Sequence, residues 1–159
     1  MAKIIDGKAV SAAVKEDVKK EVEALKANGV EVGLAVVIVG NNPASRVYVN
    51  NKKKACEEVG MESFEYALPE ETTTEELLEL VEKLNNDDNV DGILCQLPLP
   101  KQIDEKKVLN AIVPHKDVDA FHPVNTGHIM IGDHSFLPCT PAGIMEMLKY
   151  YDISVEGKE

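Results

Sequence analysis

The chain has 159 residues, 44% of them hydrophobic, which is room for one domain with a full core. Seventeen basic against twenty-eight acidic residues leave a net charge of -11, which repels a polyanion and excludes nucleic acid and an anionic membrane surface as partners. Cys56, Cys95 and Cys139 are widely spaced and odd in number, so they form neither a disulfide framework nor a zinc site; a reduced, cytoplasmic setting is expected.

The amino-terminal MAKIIDGK lacks the apolar core of a signal peptide, and no run approaches the roughly 18 apolar residues of a membrane span. After Ile4 and Ile5, apolar residues recur every three or four positions at Val10, Ala13, Val14, Val18, Val22 and Leu25, and Asn28-Gly29 stops them. That spacing predicts an amphipathic helix. Residues 33–40, GLAVVIVG, are apolar throughout and rich in β-branched side chains, as in a strand covered on both faces of a parallel sheet. Asn42 then caps a second helix with Pro43 in its first turn, and Gly60 closes it.

A strand is expected at about Ser63 to Ala67, followed by a third helix opening at Thr72-Thr73-Thr74 with a Thr73/Glu76 capping box and apolar positions Leu77, Leu80, Val81 and Leu84. Asn85 to Asn89 reads as a turn, Gly92 to Cys95 as a strand running into Gln96-Leu97-Pro98-Leu99-Pro100, and Asp104 as the start of a short helix through Leu109. Pro114 to Pro138 reads as a long irregular region, and long loops in compact domains are often functional. Thr140-Pro141 begins a final helix ending at Tyr150. The alternation of strands and helices predicts an α/β fold: a three-layer domain with a mostly parallel sheet flanked by helices.

Lys52, Lys53 and Lys54 are consecutive, but helical spacing separates them. Ser45, Tyr48, Lys52, Ala55, Cys56 and Val59 share a stripe, with Lys53 on its flank and Lys54 opposite. A lysine on a packed face snorkels to solvent, pairs with an acid, or sits in a cavity where desolvation suits it to moving protons. Tyr48 lies one turn before Lys52. Gln96 ends the other clear apolar strand, and ligands of open parallel sheets bind outside the carboxyl ends of strands. An amide at that edge could orient the amine, or could simply satisfy the turn at Pro98 and Pro100. Asp119 could equally be a loop carboxylate capping a turn. His115, His122, His128 and His134 are six or seven residues apart, a spacing that does not put two ligands on one helical face, so no metal site is expected. Arg46, Lys53 and Lys54 form a small basic edge, either a solvated helix face or a contact for an anionic tail.

Ser45-Arg-Val-Tyr48-Val-Asn-Asn-Lys52, Asp91-Gly-Ile-Leu-Cys-Gln96-Leu-Pro-Leu-Pro100, Lys116-Asp-Val-Asp119-Ala-Phe-His-Pro123 and Pro138-Cys-Thr-Pro141-Ala-Gly143 together resemble the catalytic domain of the bifunctional methylenetetrahydrofolate dehydrogenase/methenyltetrahydrofolate cyclohydrolase family. The resemblance implies a tetrahydrofolate derivative as substrate and a place in one-carbon metabolism and purine biosynthesis. It implies Lys52 as the proton-transfer group of the cyclohydrolase step, Gln96 as its partner, Tyr48 stacked on the aminobenzoyl ring and Asp119 bonded to the pterin. Ser45 would lie near Lys52, while Cys95 and Leu97 would line the pocket beside Gln96. Cys95 stands where the family pattern has valine, one small apolar group for another.

NADP is the cofactor the resemblance implies, yet no glycine-rich phosphate loop such as G-x-G-x-x-G occurs here, and Gly40-Asn-Asn-Pro43 is the nearest approach. The family carries a second, Rossmann-like domain for NADP. The expectation is therefore that residues 1–150 form the folate-binding catalytic domain, that 151–159 begin a linker to a domain this chain lacks, and that the chain alone is no dehydrogenase. A homodimer is implied for the full-length enzyme. Two other readings are a non-catalytic folate-binding module and a plain α/β interaction domain with Lys52 merely snorkelling.

Overall fold

A computed structural model describes residues 4–157. Helix α1 (Gly7–Ala27) is capped by the Asp6 carboxylate, which accepts from the Lys8 and Ala9 amides. It leads to strand β1 (Gly33–Val39), helix α2 (Pro43–Val59), strand β2 (Glu62–Leu68), helix α3 (Thr74–Asn85) and strand β3 (Gly92–Cys95). Three helices follow: α4 (Glu105–Ala111), α5 (Pro123–Ile131) and α6 (Cys139–Tyr150). The three strands form a parallel sheet in the order β2-β1-β3, with Gly33 paired to Glu62 and Leu34 to Gly92 at the start of each ladder.

The seven residues of β1 alternate between two cores because successive side chains of a strand point to opposite faces. Ala35, Val37 and Val39 pack with Leu77, Val81 and Leu84 of α3 and Val108 of α4, whereas Val36 and Ile38 pack with Val49 of α2;. Helices α2 and α4 thus follow adjacent strands but lie on opposite faces of the sheet. Chains that part this way leave a crevice at the carboxyl ends of the two strands, and such crevices bind ligands in α/β sheets. Helix α1 forms an outer layer on α2, tied by the ion pair Lys15–Glu58, and α6 lies against α1.

Most boundaries follow local chemistry. The capping box at α3 is present in both directions: the Glu76 amide donates to the Thr73 hydroxyl at 3.2 Å and the Thr73 amide to the Glu76 carboxylate at 2.8 Å. Gly60 closes α2 at φ 84°, in the left-handed region that glycine enters freely.

The long irregular region expected from Pro114 to Pro138 is corrected by α5. The His122 imidazole Nδ1 accepts from the Val124 amide, Pro123 occupies the first turn, and Gly132 ends the helix at φ 79°. Those start and stop signals were in the sequence. The helix escapes a periodicity search because it has hardly any buried stripe: Met130 is 81% and Ile131 75% exposed, and Asn125 is its buried residue.

The stripe expected on α2 needs one correction as well. Ser45, Val49, Cys56 and Val59 are its buried positions, with Lys52 half-buried between them. Tyr48 is 61% exposed, because the seam of the α2 packing runs through Val49.

Candidate active site

Lys52 projects from the middle of α2 toward the carboxyl end of β3, where Gln96 leaves the strand. Its Nζ donates to Gln96 Oε1 at 3.2 Å, and Gln96 Nε2 donates in turn to the Leu97 carbonyl at 2.8 Å. That second bond fixes which end of the amide faces the lysine: with the NH2 group engaged by the backbone, only the carbonyl oxygen remains for the ammonium. Gln96 therefore satisfies the turn and orients Lys52 at once. The Gln96 amide is anchored by its own N–H to the Val37 carbonyl at 2.8 Å, so β1 positions it directly. The peptide bond between Leu97 and Pro98 is cis.

Lys52, Leu94, Cys95, Gln96, Leu97, Asp119 and Phe121 line a cavity of about 170 Å³. The lysine, the glutamine and the aspartate, separated by up to 67 positions in the sequence, are thus brought to one place. Burial raises the Asp119 carboxyl above its usual range; the Lys52 charge opposes the shift and the Asp117 charge adds to it. Burial pushes the Cys95 thiol up to about 12, with Glu105 and Asp119 contributing, so Cys95 is a neutral wall of the cavity and not a nucleophile.

The Tyr48 ring centroid lies 5.7 Å from Lys52 Nζ, within cation–π range, with most of the ring open to solvent beside the cavity. Ser45 is buried in the first turn of α2 and its amide is held by the Asn42 cap; it does not line the cavity. Arg46 is paired with Glu65 of β2 at 2.8 Å, which takes one charge from the basic edge, while Lys53 and Lys54 are exposed.

The structure adds members that spacing alone did not suggest. Phe121 lines the cavity and is 45% exposed. Two neighbours in its motif are supports. Lys116 is buried and donates to the Leu84 carbonyl at 3.2 Å and the Asp87 carbonyl at 2.9 Å, at the carboxyl end of α3. The turn-capping carboxylate foreseen as one option for Asp119 is Asp117, which accepts from the His122 amide at 2.8 Å. The signal for these roles was their place in a compact motif, but not its division of labour.

Larger hollows lie elsewhere. One of about 730 Å³ at the amino ends of the strands is lined by Glu31, Glu62, Asp87, Asp88 and Asp91 among others, and one of about 560 Å³ between α1 and α6 is largely apolar. Neither brings a lysine, an amide and a carboxylate together, so chemistry and not volume selects the Lys52 cavity. Among the described residues no cluster of three or more His, Cys, Asp or Glu side chains could hold a metal ion, and no helix is long and apolar enough to cross a membrane.

Among the described residues, the glycine turn nearest to a phosphate loop in sequence is not shaped for the NADP phosphates. At the turn between β1 and α2, a Cβ on Gly40 would stand 1.8 Å from Glu70 Oε2, so a carboxylate occupies the space where a phosphate cradle would need room and positive potential.

A lysine–glutamine pair and a half-buried carboxylate thus meet at the carboxyl end of a strand in a parallel sheet, the architecture of an α/β domain. The family described as "Tetrahydrofolate dehydrogenase/cyclohydrolase, catalytic domain" matches residues 5–119, and the chain belongs to it. Its sequence is 66% identical over 158 residues to "Bifunctional protein FolD" of Acetivibrio thermocellus, covering 99% of this chain and 55% of that protein. The solved structure of the bifunctional enzyme FolD, methylenetetrahydrofolate dehydrogenase/cyclohydrolase, from Campylobacter jejuni superposes with a TM-score of 0.94 at 52% identity, over 98% of this chain and 55% of that one. The Trypanosoma brucei dehydrogenase-cyclohydrolase, solved with NADP cofactor and inhibitor, gives a TM-score of 0.93 at 36% identity, over 98% of this chain and 54% of that one. The chain spans about half the length of the curated relatives it matches.

Proposed function

We propose that the Lys52 cavity is the folate site of a bifunctional 5,10-methylenetetrahydrofolate dehydrogenase/5,10-methenyltetrahydrofolate cyclohydrolase. In this reading residues 1–150 are the catalytic domain and 151–159 begin the connection to a separate NADP-binding domain. The observation that carries it is the 3.2 Å contact of Lys52 Nζ with an amide oxygen whose orientation the Leu97 carbonyl fixes, on a cavity shared with Asp119.

The hydrolysis adds water to the cationic methenyl carbon and breaks its bond to one ring nitrogen, leaving the formyl group on the other nitrogen and releasing a proton. Lys52 Nζ moves a proton between the attacking water and the departing nitrogen, and Gln96 Oε1 keeps the amine aimed at that point. Asp119, in the cavity lining, hydrogen-bonds the pterin, and Tyr48, mostly exposed and next to Lys52, stacks on the aminobenzoyl ring, where a ring can add contact area. Cys95 and Leu97 supply the apolar wall, and Ser45 supports the first turn of α2. The cavity of about 170 Å³ is smaller than the roughly 300–1,000 Å³ of a ligand site, so part of the folate is held outside it.

The dehydrogenase half of the activity draws on NADP, whose phosphates the Gly40 turn does not suit, and the isolated chain is expected to lack it. A cytoplasmic location, a homodimeric whole enzyme and a supply of one-carbon units to purine synthesis belong to the same reading and rest on the family resemblance. Hydrolysis of 5,10-methenyltetrahydrofolate by the 159-residue chain, with the buffer rate subtracted, tests the site. Saturable turnover is expected to fall by about 10²-fold or more in Lys52→Met with folate binding retained. Turnover that survives the substitution would remove Lys52 from the mechanism.

A further inference from the structure

We infer that Asp117 and Asn125 are positioning residues that clamp the turn of residues 117–122, so that Asp119 and Phe121 face Lys52 across the cavity. The identity of the ligand rests on the folate reading above; the clamp itself does not.

Neither residue lines the cavity, and both are buried, Asp117 at 3% and Asn125 at 8% exposure. Asp117 is fixed first by the sheet. It pairs with Ile93 as an extra parallel bridge on the free edge of β3, and the Ile93 amide donates to the Lys116 carbonyl at 2.7 Å. From that anchor one carboxylate oxygen, Oδ2, accepts two bonds that close the turn: from the His122 amide at 2.8 Å and from Asn125 Nδ2 at 2.9 Å. The Asp117 carbonyl also accepts from the Ala120 amide at 3.2 Å. Asn125 Nδ2 also reaches the Pro114 carbonyl at 2.8 Å, so α5 grips the segment at Pro114 as well as at Asp117.

The chain inside this clamp needs holding. Ala120 is at φ 57°, in the left-handed region that an alanine leaves unless its surroundings over-determine it. Asp119 and Phe121 flank Ala120 in sequence and are the two residues this turn sends to the cavity. A released Ala120 would rotate both away together. The helix missed in the irregular region thereby acquires a purpose: α5 buries an asparagine in order to hold the catalytic turn.

The test uses the 159-residue chain, with tetrahydrofolate kept under nitrogen as the binding probe and backbone amide exchange followed without ligand. Asn125→Ala and Asp117→Ala are expected to speed exchange at Ala120 and His122 by about tenfold or more while β1 keeps its protection, and to weaken tetrahydrofolate by about tenfold. Asp117→Asn keeps an oxygen acceptor for both donors and is expected to recover binding to within about threefold of the parent. If Asp117→Ala does not fold, Asn125→Ala, which removes one neutral amide and leaves the carboxylate in place, carries the test.

Unchanged exchange at the turn overturns the clamp, and a loosened turn with unchanged affinity overturns the positioning role. Exchange that speeds equally in β1 would mean general destabilisation, which also overturns it. If the parent chain fails to bind tetrahydrofolate while the exchange results hold, the clamp stands and the folate assignment falls.

Discussion

Lys116 belongs to the same motif as Asp119, yet its replacement should be felt in stability. The ammonium is buried and makes two bonds, to the carbonyls of Leu84 at 3.2 Å and Asp87 at 2.9 Å, in addition to the bonds those carbonyls accept from the Asp87 and Val90 amides just past the end of α3. A hydrogen bond involving a charged group contributes about 1.5–3 kcal/mol net, so two at the lower bound give about 3 kcal/mol. The helix terminus adds a few tenths to 1 kcal/mol, and the hydrogen-bond figure is already net of the bonds the ammonium gives up to water. Lys116→Met retains the packing of the stem and removes the charge, and should cost about 2–4 kcal/mol. At about 2–4 °C per kcal/mol for a chain of this size, a 3 kcal/mol loss lowers Tm by about 6–12 °C. Urea unfolding followed by far-ultraviolet circular dichroism measures it: the midpoint should fall with an unchanged slope. A loss below about 0.5 kcal/mol, the range of an ordinary surface substitution, would refute the reasoning and mean that water serves the carbonyls equally well.

Tyr48→Ala should behave in the opposite way, leaving Tm almost unchanged because the ring is mostly exposed, while weakening tetrahydrofolate by about 2–12-fold for a stacking contact of about 0.5–1.5 kcal/mol; equal affinity by calorimetry would remove the ring from the site. Asp119→Asn should stabilise the chain at neutral pH while weakening the folate probe. Burial raises the folded-state carboxyl above its unfolded value, so the folded state holds the extra proton, and stability is lost as pH rises from the ordinary aspartate range through the raised one. The gap in urea midpoint between Asp119→Asn and the parent should therefore close as pH falls below about 4, near the unfolded aspartate value. A gap independent of pH would show that ionisation of Asp119 carries no stability penalty.

The positions where sequence reasoning and structure part have a common cause. The strands and the first four helices carried strong local signals: a β-branched run in β1, the Asn42-Pro43 start of α2, and the reciprocal Thr73/Glu76 cap of α3. Helix α5 carries caps without an apolar stripe and escapes a periodicity search, since periodicity reports burial and most of α5 buries little. Tyr48 falls on the packed stripe by spacing but not by contact, for the converse reason. Helical spacing allows both 48 and 49 near the seam, and only the position of the sheet shows that Val49 fills it.

By itself the sequence determined the α/β alternation, the odd member of the three lysines, the strand-end glutamine opposite it and the motif that contains Asp119. These follow from local periodicity, capping and short-range patterns, which a linear chain records directly. Only the tertiary structure decided how that motif divides its work, with Lys116 serving the end of α3, Asp117 bound to α5 and Asp119 turned toward Lys52. The physical reason is that each of these carboxylates and amines is assigned by what desolvates it and what donates to it. Those partners come from elements 8 to 67 residues away, brought together by the edge of a parallel sheet.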